Sequence, residues 1–122
     1  MYVDYNMDID KIKKKLRSFS KDRDWDKYHN PKNLVMALSG EIGELVEIFQ
    51  WLDEEQSIKI KSTSEIQSIK EELADIFIYL IRLADKLDID IEESVEQKLK
   101  INAEKYPVAL SKGNAVKYNK RK

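Results

Sequence analysis

The chain has 122 residues, 42% hydrophobic and 37% charged, a balance that fits one soluble, helix-rich domain with a single core and argues against disorder. Its 22 basic and 23 acidic residues leave a net charge of −1, so no overall field favours nucleic acid or a membrane surface as partner. The absence of cysteine excludes disulfides and thiolate metal sites. No apolar run reaches the roughly 20 residues of a membrane span, and the polar N-terminus lacks a signal peptide's apolar stretch, so a cytoplasmic location is expected.

The first predicted helix runs from about Asp8 to Trp25, with Ile9, Ile12, Leu16 and Phe19 as its apolar face. At the following junction Asn30 is a good N-cap and Pro31 suits the first helical position, where its missing N–H does no harm. The second helix continues to about Leu52. Asp53 to Ser64 is polar, mixed in charge and without a period, and reads as a loop. Ser64 with Gln67 resembles a capping box that opens a third helix reaching about Leu87. Its seam reads Ile69, Leu73, Ile76, Leu80, Leu83, Leu87, but Ile78, Tyr79 and Ile81 lie off it, so the helix is apolar over most of its circumference. A helix of that kind wants neighbours on several sides, and homo-oligomerisation is expected. Asp90 and Glu93 open a fourth helix that stops near Tyr106 and Pro107. The domain therefore has a core over about 8–107 and a lysine-rich tail over 108–122 with no period.

The second helix carries the chemical signal. Leu34, Leu38, Glu41, Leu45, Ile48 and Leu52 alternate steps of four and three, and one position of this inward seam is a carboxylate. A buried ionised carboxylate costs several kcal/mol, on the order found for buried ions generally, unless a cation or a hydrogen bond compensates. Glu44 follows one turn later, and Glu72 with Asp75 repeats the three-residue spacing on the third helix, where the pair flanks the seam rather than interrupting it. Two helices joined by a loop can bring these four acids together as an all-oxygen site suited to Mg²⁺ or Mn²⁺. The alternative is an ordinary solvated acidic surface, and spacing alone does not choose between the two. A di-iron carboxylate site needs Glu-x-x-His pairs on two helices, whereas the one histidine, His29, lies outside both acidic helices.

Complementary charge comes from the fourth helix and tail. Lys98, Asn102 and Lys105 share a face with Tyr106 beside it, and Lys117 and Tyr118 follow; point charges and neutral donors of this kind suit phosphate oxygens, although a lysine face is more often simply solvated. Trp25, Trp51 and Tyr79 offer flat walls for a nucleobase, with His29 nearby. Acids for a metal, bases for phosphate and aromatics for a ring together describe a nucleotide pocket.

The block from Pro31 to Trp51, with Glu41-Ile42-Gly43-Glu44 at its centre and Phe49-Gln50-Trp51 at its end, closely resembles the MazG-like nucleoside triphosphate pyrophosphohydrolases. Within them it is most similar to the all-α dCTP pyrophosphatase branch. Arg23-Asp24-Trp25, the block from Glu71 to Tyr79 and the block from Lys98 to Pro107 extend the resemblance in the same order and spacing. It implies an all-α, MazG-like four-helix bundle assembled as a homodimer or as a tetramer built from two dimers. It also implies Mg²⁺-dependent cleavage of a nucleoside triphosphate, dCTP or a modified dNTP, to the monophosphate and pyrophosphate.

By position, Glu41, Glu44, Glu72 and Asp75 would hold the metal. Lys98, Asn102, Lys105, Tyr106, Lys117 and Tyr118 would contact the triphosphate, and Trp25, His29, Trp51 and Tyr79 would border base and sugar. Leu16 stands where the dCTP branch can carry a base-pocket histidine, which bears on cytosine selectivity. A related enzyme acting on dUTP or another nucleotide, and a helical module that binds nucleotides without hydrolysing them, are the alternatives.

Overall fold

A computed structural model describes residues 7–121, and among these the regular elements are all helical. Helix α1 covers Ile9–Asp22, α2 Pro31–Phe49, α3 Glu54–Lys59, α4 Ile66–Lys86, α5 Ile91–Lys105 and α6 Val108–Ser111. The chain divides into two compact units, Met1–Asp88 and Ile89–Lys122. No helix is long and apolar enough to cross a membrane among the described residues.

In the first unit the caps follow local chemistry. Asp8 accepts from Lys11 N and opens α1; Asn30 accepts from Asn33 N and opens α2, with Pro31 in the first turn. Helix α1 ends in a Schellman turn: Asp24 takes a left-handed φ of 55°, its N–H bonds Lys21 O, and Trp25 N–H bonds Ser20 O. Aspartate tolerates this conformation better than most residues, and the turn sets where Trp25 emerges.

Two local expectations are corrected. The predicted loop from Asp53 to Ser64 contains α3 and a 3-10 turn over Ile60–Ser62, because Asp53 and Gln56 form a reciprocal capping box that nucleates a helix too short to show a period. The predicted box at Ser64 and Gln67 does not form; α4 begins at Ile66 after Glu65, with no side-chain cap.

Helix α4 packs chiefly against α2 and also against α1. Helices α2 and α4 run antiparallel, since His29 meets Arg82 while Glu41 meets Glu72 and Asp75. The core centres on Leu34, Ile69, Ile81 and Ala84. The predicted seam of α2 faces inward along its length. That of α4 does not: Leu73, Leu80 and Leu87 are exposed, at 53%, 41% and 48%. The buried positions of α4 are instead Ile69, Ile81, Arg82 and Ala84, with Glu72, Ile76, Tyr79 and Leu83 half-buried beside them. Glu72 is thus half-buried on α4 as Glu41 is on α2. The apolar residues all round α4 left its rotation undetermined in the sequence.

In the second unit, Asp90 accepts from Glu93 N to open α5, as expected, and the helix ends before Pro107. The tail, whose sequence shows no period, holds α6 and a 3-10 turn over Tyr118–Lys120.

Candidate active site

The antiparallel pairing of α2 and α4 faces Glu41 and Glu72 towards each other. One carboxylate oxygen each from Glu41, Glu72 and Asp75 lies within 4.8 Å of the others. Glu44 stands outside this tight group but beside Glu72, and it lines an open groove of mixed character with Glu47, Glu65, Ile48, Leu52 and Ile60. Glu41 Oε2 and Glu72 Oε2 are buried without a hydrogen-bond donor. Two such oxygens need a proton or a cation between them, and an all-carboxylate donor set suits a hard divalent ion. The residues present therefore fit a metal of that class.

Without a metal, a proton takes the cation's place. Hydrogen bonding to Glu41, partial burial, and the hydrogen bond and negative charge of Glu44 push the Glu72 pKa up to about 7. A carboxyl whose folded pKa lies above its unfolded value stabilises the fold below the unfolded pKa, and that stabilisation is lost as pH rises through the folded one. The metal-free protein is accordingly expected to melt at lower temperature as pH rises from about 5 to 8, over the window set by the Glu72 shift. Mg²⁺ or Mn²⁺ should raise the melting temperature, most at the alkaline end. Thermal melts in EDTA and in each ion check this; a metal effect independent of pH would count against binding at Glu72.

A cavity of about 290 Å³ shares Asp75 with the acids and is lined also by Trp25, His29, Ile78 and Tyr79, by the buried Arg82 and Ser20, and by Leu16 and Phe19. Three of the four residues expected to border a base thus share one cavity with a member of the acidic cluster. Trp51 is not among its walls: it follows the end of α2 and is 87% exposed. Trp25 packs edge-on to Phe19, and its ring centroid lies 6.4 Å from that of His29.

Sequence reading missed Arg82. Its guanidinium is buried, pairs with Asp26 and approaches Asp85, which is itself gripped by Arg17. Lys86 also binds Asp26, at 2.7 Å. The available signal was a charge between Ile81 and Leu83 in an apolar stretch, the same kind of anomaly that exposed Glu41.

The expected phosphate-contacting residues belong to the second unit. Lys98, Asn102 and Lys105 lie along one face of α5. The tail folds back on the end of that helix: Tyr118 N–H bonds Tyr106 Oη at 3.3 Å, their rings meet edge to face, and Lys105 Nζ sits 4.6 Å from the Tyr118 ring centre. Lys105, Tyr106 and Tyr118 are thereby gathered together, with Lys117 adjacent in the chain.

The profile of the MazG-like family matches residues 36–120, taking in the part of α2 that carries both its acids, the whole of α4, and most of the second unit. The chain belongs to the MazG-like family. Among relatives of this MazG-like chain, dCTP pyrophosphatase 1 of Bos taurus is 43% identical over 111 residues and that of Homo sapiens 39%, each alignment covering 90% of the chain. The chain spans 66% and 65% of those two relatives' own lengths. A crystal structure of a pyrophosphatase from Archaeoglobus fulgidus superposes with a TM-score of 0.77 at 35% identity, covering 88% of this chain and 99% of the other.

Proposed function

We propose that this MazG-like chain is a nucleoside triphosphate pyrophosphohydrolase that cleaves between the α and β phosphates. Its substrate would be dCTP or a modified dNTP, its metal Mg²⁺, with Mn²⁺ as a substitute. The observation that carries this reading is the group formed by Glu41, Glu72 and Asp75 at the edge of a cavity walled by Trp25, His29 and Tyr79. Relatives that bear the name dCTP pyrophosphatase 1 support the substrate class.

In this mechanism Glu41, Glu72 and Asp75 hold the divalent ion, which supplies charge neutralisation and Lewis acidity when bound. Glu44, beside Glu72 but outside the tight group, is the carboxylate free to accept the proton of the water that attacks the α-phosphorus. The family resemblance assigns the charge of the leaving pyrophosphate to Lys98, Lys105 and Lys117, and Asn102, Tyr106 and Tyr118 are the donors suited to phosphate oxygens. Trp25 and Tyr79 enclose the base. The whole of 1–122 acts as one functional domain, consistent with a family match that crosses from the first unit to the second.

Exposed apolar side chains on α2 (Val35, Ile42, Val46) and α4 (Leu73, Phe77, Leu80) support assembly into a dimer or a tetramer of two dimers, measurable by light scattering. A cytoplasmic enzyme of nucleotide-pool sanitation is the role this chemistry fits.

Pyrophosphate release from a panel of canonical and modified (d)NTPs, with Mg²⁺ and with EDTA, tests the reading. Release from dCTP or a modified dNTP only with metal is expected; silence across the panel, despite ligand-induced thermal stabilisation, would favour a non-catalytic nucleotide-binding module. Lys105→Ala should raise KM by about tenfold, the loss of one charge-assisted contact, with a smaller change in kcat. An unchanged KM would remove Lys105 from the phosphate site.

A further inference from the structure

Among the described residues Arg82 and Ser20 are the buried polar side chains, 4% and 2% exposed, and both meet the same atom. Arg82 Nε lies 3.4 Å from His29 Nδ1, and Ser20 Oγ lies 3.2 Å from it. An arginine Nε always carries hydrogen and never accepts, so the Nδ1 it faces holds a lone pair. The Ser20 hydroxyl can donate to that lone pair as well. The one hydrogen of the neutral imidazole is then on Nε2.

Nε2 has no protein partner among the described residues, and it is not enclosed as an unsatisfied atom, while the ring forms part of the cavity wall. Burial, followed by the nearby Arg82 and Lys86 cations, holds the His29 pKa below the ordinary histidine value, with Asp26 opposing them.

We propose that Arg82 and Ser20 lock His29 in its Nε2–H tautomer, so that the cavity presents a neutral hydrogen-bond donor and selects a nucleobase through an acceptor on its edge. The acceptor is a ring carbonyl or an unprotonated ring nitrogen; an exocyclic amino group turned to the same place would meet a second donor and be rejected. Arg82 and Ser20 are positioning residues here, and His29 is the specificity-determining one. The selection, though not the tautomer, rests on the reading of this cavity as the base site.

Because His29 is the only histidine, its two ring nitrogens can be followed alone in a long-range proton–nitrogen correlation spectrum of the metal-free protein at neutral pH. A protonated Nε2 and a lone-pair Nδ1 are expected; protonation at Nδ1, or two averaged nitrogens, overturns the lock. In the pyrophosphate-release assay, His29→Leu should raise KM about tenfold with little change in kcat, while His29→Gln, which keeps an N–H donor, should stay within about threefold of the wild type.

Arg82→Met should raise KM by a similar factor and add nothing further in the His29→Leu background, the non-additivity of residues acting through one contact. Additive effects, or a His29→Gln variant as impaired as His29→Leu, would overturn the proposal. If Arg82→Met does not fold, Ser20→Ala is carried through the same cycle with the same two outcomes. Should no nucleotide be hydrolysed, the base-site reading falls, and the spectrum alone still decides whether the tautomer is locked.

Discussion

Glu41→Gln and Asp75→Asn are each expected to reduce metal-dependent pyrophosphate release by more than about a hundredfold, since even residues outside a metal's immediate ligands commonly cost 10–100-fold when changed. Both substitutions keep the shape of the side chain and remove one negative charge from a group whose ligand atoms lie within 4.8 Å of one another. Helicity should be unchanged. The metal-free variants should melt no lower than the wild type, because removing a carboxylate from a mutually repelling cluster relieves it. Circular dichroism and the release assay on the same preparations check both statements. Full activity in either variant would sink the metal-site assignment, and loss of activity together with loss of helicity would point to a structural role.

The second large effect falls on stability. Leu34 is 1% exposed at the start of α2, and Leu34→Ala should cost about 2–5 kcal/mol through lost burial and an unfilled cavity. Leu73, which the sequence places in the same kind of seam, is 53% exposed, so Leu73→Ala should cost under about 1 kcal/mol in an isolated chain. Urea denaturation over a range of protein concentrations separates two origins of any larger Leu73 effect. A cost that grows with concentration means a second copy covers the outer face of α4. A cost of several kcal/mol at every concentration would mean that Leu73 is internal and the inward face is misassigned.

The two leucines mark how far periodicity carries. In α2 the row from Leu34 to Leu52 turns inward as its spacing predicts, while Val35, Ile42 and Val46 lie off it and stay exposed. In α4 apolar residues surround the axis, so two neighbouring rows fit the pattern equally well. Packing against α2 and α1 buries Ile69, Ile81, Arg82 and Ala84 and leaves Leu73, Leu80 and Leu87 exposed.

Local chemistry read from the sequence determined the caps at Asn30 and Asp90, the all-helical class and the anomalous carboxylate at position 41, because each depends on neighbours a few residues away. The family resemblance extended this to the four acids and a reaction. Tertiary structure alone decided that Glu72 is half-buried with its carboxyl against Glu41, that Asp75 borders the cavity of Trp25, His29 and Tyr79, and that Trp51 stands outside it. It alone also placed Arg82 behind His29, across 53 residues of sequence. Charge pairing and burial at that distance are set by how α4 rotates against α2 and α1, and a one-dimensional period does not carry that rotation.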